Sequence, residues 1–162
     1  MREIKEILRI QDKEAGRTRN LQTYIHQKSN AKLGDSLVNF IYSVAKSLVS
    51  GIPTGMKVSD SILSEAFKGS SWHTTKTLKI SGKKDRIADA VEALILYFWI
   101  QEEISLKKLI EPLESQLEPH RLRHPKEEHN SAVLAFQNLL NFLFHIHLDV
   151  TSNKDEEISS AQ

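Results

Sequence analysis

Two acidic residues three positions apart, Asp89 and Glu92, sit inside the otherwise apolar run from Ile87 to Ile100. On a helix that spacing points both carboxylates to one side. One and two turns later the same side carries Leu96 and Trp99, so the pair lies along a direction that turns apolar. Carboxylates buried in ionised form need cations, hydrogen bonds or a metal around them. A hard divalent cation such as Mg²⁺ is the natural match for clustered carboxylate oxygens. Solvation, or pairing with Lys84, Arg86 or another basic residue, would satisfy the same spacing.

A second irregularity lies upstream, in Leu33-Gly34-Asp35. A glycine inside a strong helical pattern costs about 1 kcal/mol relative to alanine. Close approach of another backbone, or of a ligand, would justify it. Asp35 falls at the edge between the polar and apolar faces, one turn before Asn39.

Positive charge is concentrated between Lys68 and Arg86, where six basic residues meet a single acid, Asp85. Lys76, Lys79, Lys83, Lys84 and Arg86, with Trp72 and His73, read as an exposed basic loop able to contact phosphates, or as an ordinary solvated loop. Arg121, Arg123 and Lys126 form a weaker cluster, followed directly by Glu127 and Glu128. His120, His124 and His129 straddle Pro125 at spacings that match no closed zinc site, and His145 and His147 diverge on a helix. No serine stands in a nucleophile-elbow context.

Composition narrows the chemistry further. The chain has 162 residues and no cysteine, which removes disulfide scaffolds, thiolate metal sites and cysteine nucleophiles. Its 22 basic and 21 acidic residues nearly cancel, so charge alone carries no global nucleic-acid signature. Hydrophobic residues make up 40%, enough for a real core, and only six glycines and four prolines favour long helices over a many-turned β fold. The N-terminus is charged and has no apolar signal core. The longest apolar run, Ala93 to Ile100, is far below the roughly 18 residues of a membrane span. A soluble, cytoplasmic protein without membrane contact is expected.

The elements that must position these groups read as helices almost throughout. Ile4, Ile7 and Leu8 open a short first segment, which Gly16 interrupts before the pattern resumes at Leu21, Tyr24 and Ile25. A helix from about Asn30 to Val49 ends at Gly51. Leu33, Leu37, Phe40, Ile41, Val44 and Leu48 form its main apolar stripe, and Val38, Tyr42, Ala45 and Val49 a second face. Apolar on two faces, it is expected to be central. Ser59 or Asp60 caps a helix that ends at Gly69, and Ser70 to Lys84 reads as a loop, with a short strand over Thr74 to Ile80 as the alternative. A strong helix covers Asp85 to Gln101. Ser105 caps the next, in which Pro112 should kink or restart the helix. A last helix spans His129 to Leu148. Phe136, Phe142, Phe144, Tyr97, Phe98 and Trp99 are read as core or dimer-interface residues. The expected class is all-α, with one domain over 1–150 that includes an extra C-terminal helix, and a disordered acidic tail over 151–162.

The segment from Asn30 to Phe40, centred on Leu33-Gly34-Asp35, resembles the signature helix of ribonuclease III endonuclease domains. Asp89-Ala90-Val91-Glu92-Ala93-Leu94-Ile95 resembles that family's second motif, Asp-x-x-Glu-Ala-Leu-Ile. The two blocks stand in the family's order and separation, with Val58 to Leu63 in the place of an intervening helix. After them, Leu109 to Leu113 is similar to the end of the following one. The likeness covers roughly residues 18–117.

The resemblance implies a ribonuclease III-like helical fold and hydrolysis of phosphodiester bonds in double-stranded or structured RNA. It implies that Asp35, Asp89 and Glu92 converge as catalytic carboxylates on Mg²⁺ (or Mn²⁺), in a homodimer where each cluster cuts one strand. Lys76, Lys79, Lys83, Lys84 and Arg86 would assist RNA docking. Three departures accompany it. Ala31 stands where bacterial members have a glutamate, Lys32 where an aromatic residue often serves the dimer, and the usual C-terminal double-stranded-RNA-binding domain has no counterpart. The pattern is that of a short, archaeal-type member. Two other readings remain open: a non-catalytic RNA-binding module on the same fold, motivated by Ala31, and a helical protein-interaction domain, motivated by the balanced charge and the Phe-rich last helix.

Overall fold

The computed structural model describes residues 2–14, 16, 20–102 and 104–160, the last seven as backbone only. Among the described residues it is helical, with no strand. The helices are α1 (Arg2–Glu14), α2 (Leu21–Tyr24), α3 (Lys28–Ser50), α4 (Asp60–Lys68), α5 (Ser71–Thr74), α6 (Lys84–Ile100), α7 (Leu106–Glu114) and α8 (Pro125–Ser160), with a 3₁₀ turn at Arg121–Arg123 before α8. The all-α expectation holds.

Helix ends follow local chemistry. Gly51 closes α3 in the left-handed region (φ 72°) and donates its N–H to the Ser47 carbonyl. The Ser59 hydroxyl accepts from the Ile62 N–H at the start of α4, and Ser105 from the Lys108 N–H at the start of α7. α7 runs through Pro112 rather than restarting there. Pro125 opens α8, at a position where a missing N–H costs nothing.

The central element is α6, not α3. Every residue from Ala90 to Ile100 is buried, and α1, α2, α3, α4 and α8 all pack against it. Its near-continuous apolar sequence is what all-round burial requires. α3 buries one face only: Val38, Ile41, Tyr42 and Ala45 are fully enclosed, whereas Leu33, Phe40 and Leu48 of the expected main stripe are 41%, 52% and 58% exposed. Periodicity cannot choose between two apolar faces. The choice falls on the face carrying Ala31, Gly34, Val38 and Ala45, whose small side chains let α3 approach its neighbours closely.

The expected loop over 70–84 begins instead with α5. Trp72 is completely buried; its indole N–H donates to the Leu140 carbonyl at 2.8 Å, and its ring packs edge-on against Phe98 and Phe144. The large apolar area of an indole with a satisfied N–H explains why it docks on α8 rather than facing RNA. His73 remains exposed, its ring edge-on to Phe67.

α8 uses Ala132, Ala135, Phe136, Leu139, Leu140 and Leu143 as its core face, against α4 and α7. Pro125–Asn153 is long and apolar enough, with a mean hydropathy of 1.2, to cross a membrane by length and composition, and 44% of that apolar window is buried within the protein. The helix continues through Ser160, where the sequence predicts a disordered tail; once a helix is nucleated and docked, each added residue propagates it at small cost. Residues 161–162 of that tail lie outside the described residues.

Candidate functional site

The two sequence irregularities meet. A Cβ placed on Gly34 would strike the Glu92 carbonyl, 2.5 Å from its carbon and 3.0 Å from the Glu92 Cβ. Only glycine lets the α3 backbone lie directly on α6 at this point. The glycine that looks costly within its own helix is therefore set by the packing partner, and that partner is the motif glutamate. Asp35, next to Gly34, and Glu92 are brought to one locus by this contact.

Glu92 is buried, with 6% of its surface exposed. Its carboxyl makes no hydrogen bond or ion pair with another described residue. Burial and then the charges of Asp35, Asp89 and Asp60 push its pKa from 4.5 up to about 8, while Lys57 acts in the opposite direction. Glu92 thus stands among three other carboxylates. Asp35 is half-buried, and Asp89 lies at the exposed edge of α6. One oxygen of Asp35 accepts from the Asn39 side-chain amide at 2.9 Å; the Asn39 carbonyl in turn accepts the Val58 N–H at 2.7 Å.

The donor set suits a hard divalent cation: oxygens only, acidic, with a buried carboxyl that no described residue satisfies by a hydrogen bond or ion pair. Among the described residues no three His, Asp or Glu side chains already stand close enough to hold an ion. The set has the chemistry of a hard-cation site without a ready-made three-ligand geometry.

Beside this locus lies a hollow of about 470 Å³, lined by Lys28, Ala31, Arg86 and Asp89 among others. Ala31 forms part of its wall. Arg86 and His26 also line a neighbouring hollow of about 280 Å³ with Lys79 and Ser81. That rim is fastened: Gln22 donates to the Lys79 carbonyl at 3.0 Å and accepts the Lys79 N–H at 2.8 Å. Gly82 (φ 123°) leaves room for the Arg86 stem, 3.0 Å from where a Cβ would stand. Of the five basic residues singled out in the sequence, Lys79 and Arg86 are brought together at these hollows. Lys76, Lys83 and Lys84 are exposed and line neither.

Sequence reasoning missed Asp60 and Lys57 as neighbours of Glu92, because only the packing of α4 against α6 brings them there. It noted the position of Asn39 but not its link to Val58. The signal for Asn39 was its i+4 spacing from Asp35; nothing in the sequence marked Val58.

A family model described as Ribonuclease III matches residues 28–148. No curated protein matches the chain. The matched span runs from the start of α3 to near the end of the apolar part of α8. It therefore contains the Gly34–Glu92 contact, all four carboxylates and the whole buried helix between them, and on that ground the chain belongs to the ribonuclease III family.

Proposed function

We propose that the protein is a metal-dependent endoribonuclease acting, as a homodimer in the cytoplasm, on double-stranded or structured RNA. The observation that supports this most is Glu92: a buried carboxyl crowded by Asp35, Asp89 and Asp60 and joined to Asp35 through the Gly34 contact. A fold gains nothing from such crowding unless a cation resolves it. The chemistry that Mg²⁺ or Mn²⁺ supplies at a site of this kind is polarisation of a phosphoryl oxygen and acidification of a water molecule.

The chain's own residues divide the work. Asp35 and Glu92 come from two helices held in backbone contact at Gly34, so the main-chain positions that carry the two carboxylates are set by that packing. Glu92, held protonated near neutral pH by burial and its acidic neighbours, would give up that proton on binding a cation. Asp89 completes the set from the solvent edge, where a phosphodiester has access. Lys79 and Arg86 receive neighbouring phosphates at the hollows, while Lys76, Lys83 and Lys84 add a positive field that attracts RNA and weakens with salt. The exposed Leu33 and Phe40, two turns apart on the free face of α3, are the apolar surface a second copy would cover.

Purified protein incubated with structured RNA should give products with 5′-phosphate ends in Mg²⁺ and none in EDTA. Asp35→Asn and Glu92→Gln should each lower cleavage by roughly a thousandfold, the several kcal/mol typical of metal-assisted charge stabilisation, while both variants stay folded. Salt-sensitive RNA binding without any Mg²⁺-dependent product would favour the non-catalytic module that Ala31 suggests. Absence of RNA binding would favour the protein-interaction reading.

A further inference from the structure

We infer that Asn39 is a positioning residue of the carboxylate site, holding Asp35 in place and tying it to the segment that enters α4; the inference rests on the metal-site reading above. Asp35 is flanked on its own helix by two residues one turn away. On one side is Ala31, which offers no polar group. On the other is Asn39, whose amide donates to Asp35 at 2.9 Å. Asn39 is the only residue among those described to which the Asp35 carboxylate is joined by a hydrogen bond.

The second bond of Asn39 makes it more than a local helix contact. Its carbonyl accepts the Val58 N–H at 2.7 Å, across nineteen residues of sequence. Val58 is itself buried at 2% exposure, and it sits between Lys57, which opposes the charge crowding at Glu92, and the Ser59 cap that starts α4 at Asp60. One amide therefore sets two things at once: the rotamer of Asp35 and the place of the chain that carries Lys57 and Asp60. An Asn is suited to this because its two ends differ, with donors toward the carboxylate and an acceptor toward the backbone N–H. With no other described side chain hydrogen-bonded to it, the direction of the Asp35 carboxylate rests on Asn39, and groups that hydrogen-bond ligating carboxylates commonly govern metal affinity by about ten- to a hundredfold.

The roles of the two ends can be separated. Asn39→Asp keeps an acceptor for the Val58 N–H but loses the donor to Asp35, whereas Asn39→Ala loses both. Mn²⁺ affinity is measured by titration of the purified proteins, with thermal unfolding of the metal-free form alongside. The expected result is that both variants bind Mn²⁺ at least about tenfold more weakly. Both variants should lower the unfolding midpoint, Asn39→Asp because two carboxylates then meet within one helical turn and Asn39→Ala because the Val58 N–H loses its acceptor. On RNA, both should lose kcat with little change in KM. An Asn39→Asp protein that binds Mn²⁺ as tightly as wild type, or more tightly, overturns the inference and leaves Asn39 as a fastener of the Val58 segment. Glu92→Gln serves as the control. If it too binds Mn²⁺ like wild type, the metal-site reading itself fails; if it is weakened while Asn39→Asp is not, only the positioning role fails.

Discussion

The molecule buries a glutamate in two places and treats them oppositely. Glu128, at the start of α8, has a side chain 14% exposed and meets the ammonium of Lys46 on α3, itself 16% exposed. Lys46 also reaches the Met56 sulfur at 3.4 Å. Glu92, on α6, is at least as deeply buried and faces Asp35, Asp89 and Asp60. The first arrangement neutralises a charge and fastens α8 to α3. The second concentrates charge of one sign and pushes the Glu92 pKa to about 8. Burial depth does not distinguish these two carboxylates; the sign of what surrounds each does.

The sharpest way to break the second arrangement is through its backbone. Gly34→Ala would drive a methyl group into the Glu92 carbonyl, which neither helix can avoid without moving apart. The expected loss is about 3 kcal/mol or more in urea unfolding, at the upper end of overpacking effects. The α3–α6 contact would be refuted as the clamp of the site if Gly34→Ala were as stable as wild type.

The next test reverses the usual sign. The folded-state pKa of Glu92 lies above its ordinary value, so folding takes up a proton between about pH 4.5 and 8. Its favourable contribution is fully present below pH 4.5 and is lost as the pH rises through 8. Glu92→Gln, which is neutral throughout, should match wild type near pH 4 and exceed it by roughly 2–3 kcal/mol at pH 7 in the absence of metal. Added Mg²⁺ should narrow that gap by stabilising wild type alone. A gap that stays constant from pH 4 to 8 would contradict the crowding described for Glu92.

Glu128→Gln gives the smallest effect and the ordinary sign. It leaves the Lys46 ammonium half-buried without its counter-charge, and a loss of about 1–2 kcal/mol is expected. Its cleavage of RNA should be unchanged. A Glu128→Gln protein that unfolds like wild type would mean the Lys46 pair contributes only geometry.

Much of this was legible in the sequence because the signals were local. The caps Ser59 and Ser105, the terminal Gly51 and the buried stretch after Asp89 each follow from residues within a few positions of one another. Gly34 was legible as an anomaly: the sequence said that something must approach it, and the structure supplies the Glu92 backbone. Trp72 was misread as part of an exposed loop because the stretch around it is basic and aperiodic. Its partners Leu140 and Phe144 lie about seventy residues away, and only docking on α8 reveals its burial.

The sequence by itself determined the long core helices, the two acidic motifs and their spacing, because hydrogen-bonded turns and side-chain periodicity are set by neighbours in the chain. Which face of α3 turns inward, that α6 and not α3 lies at the centre, and that Asp60 joins the carboxylates were decided only by the tertiary structure. Those outcomes depend on how closely two helices can approach and on charges from distant segments adding at one point. Neither quantity exists until the chain has folded.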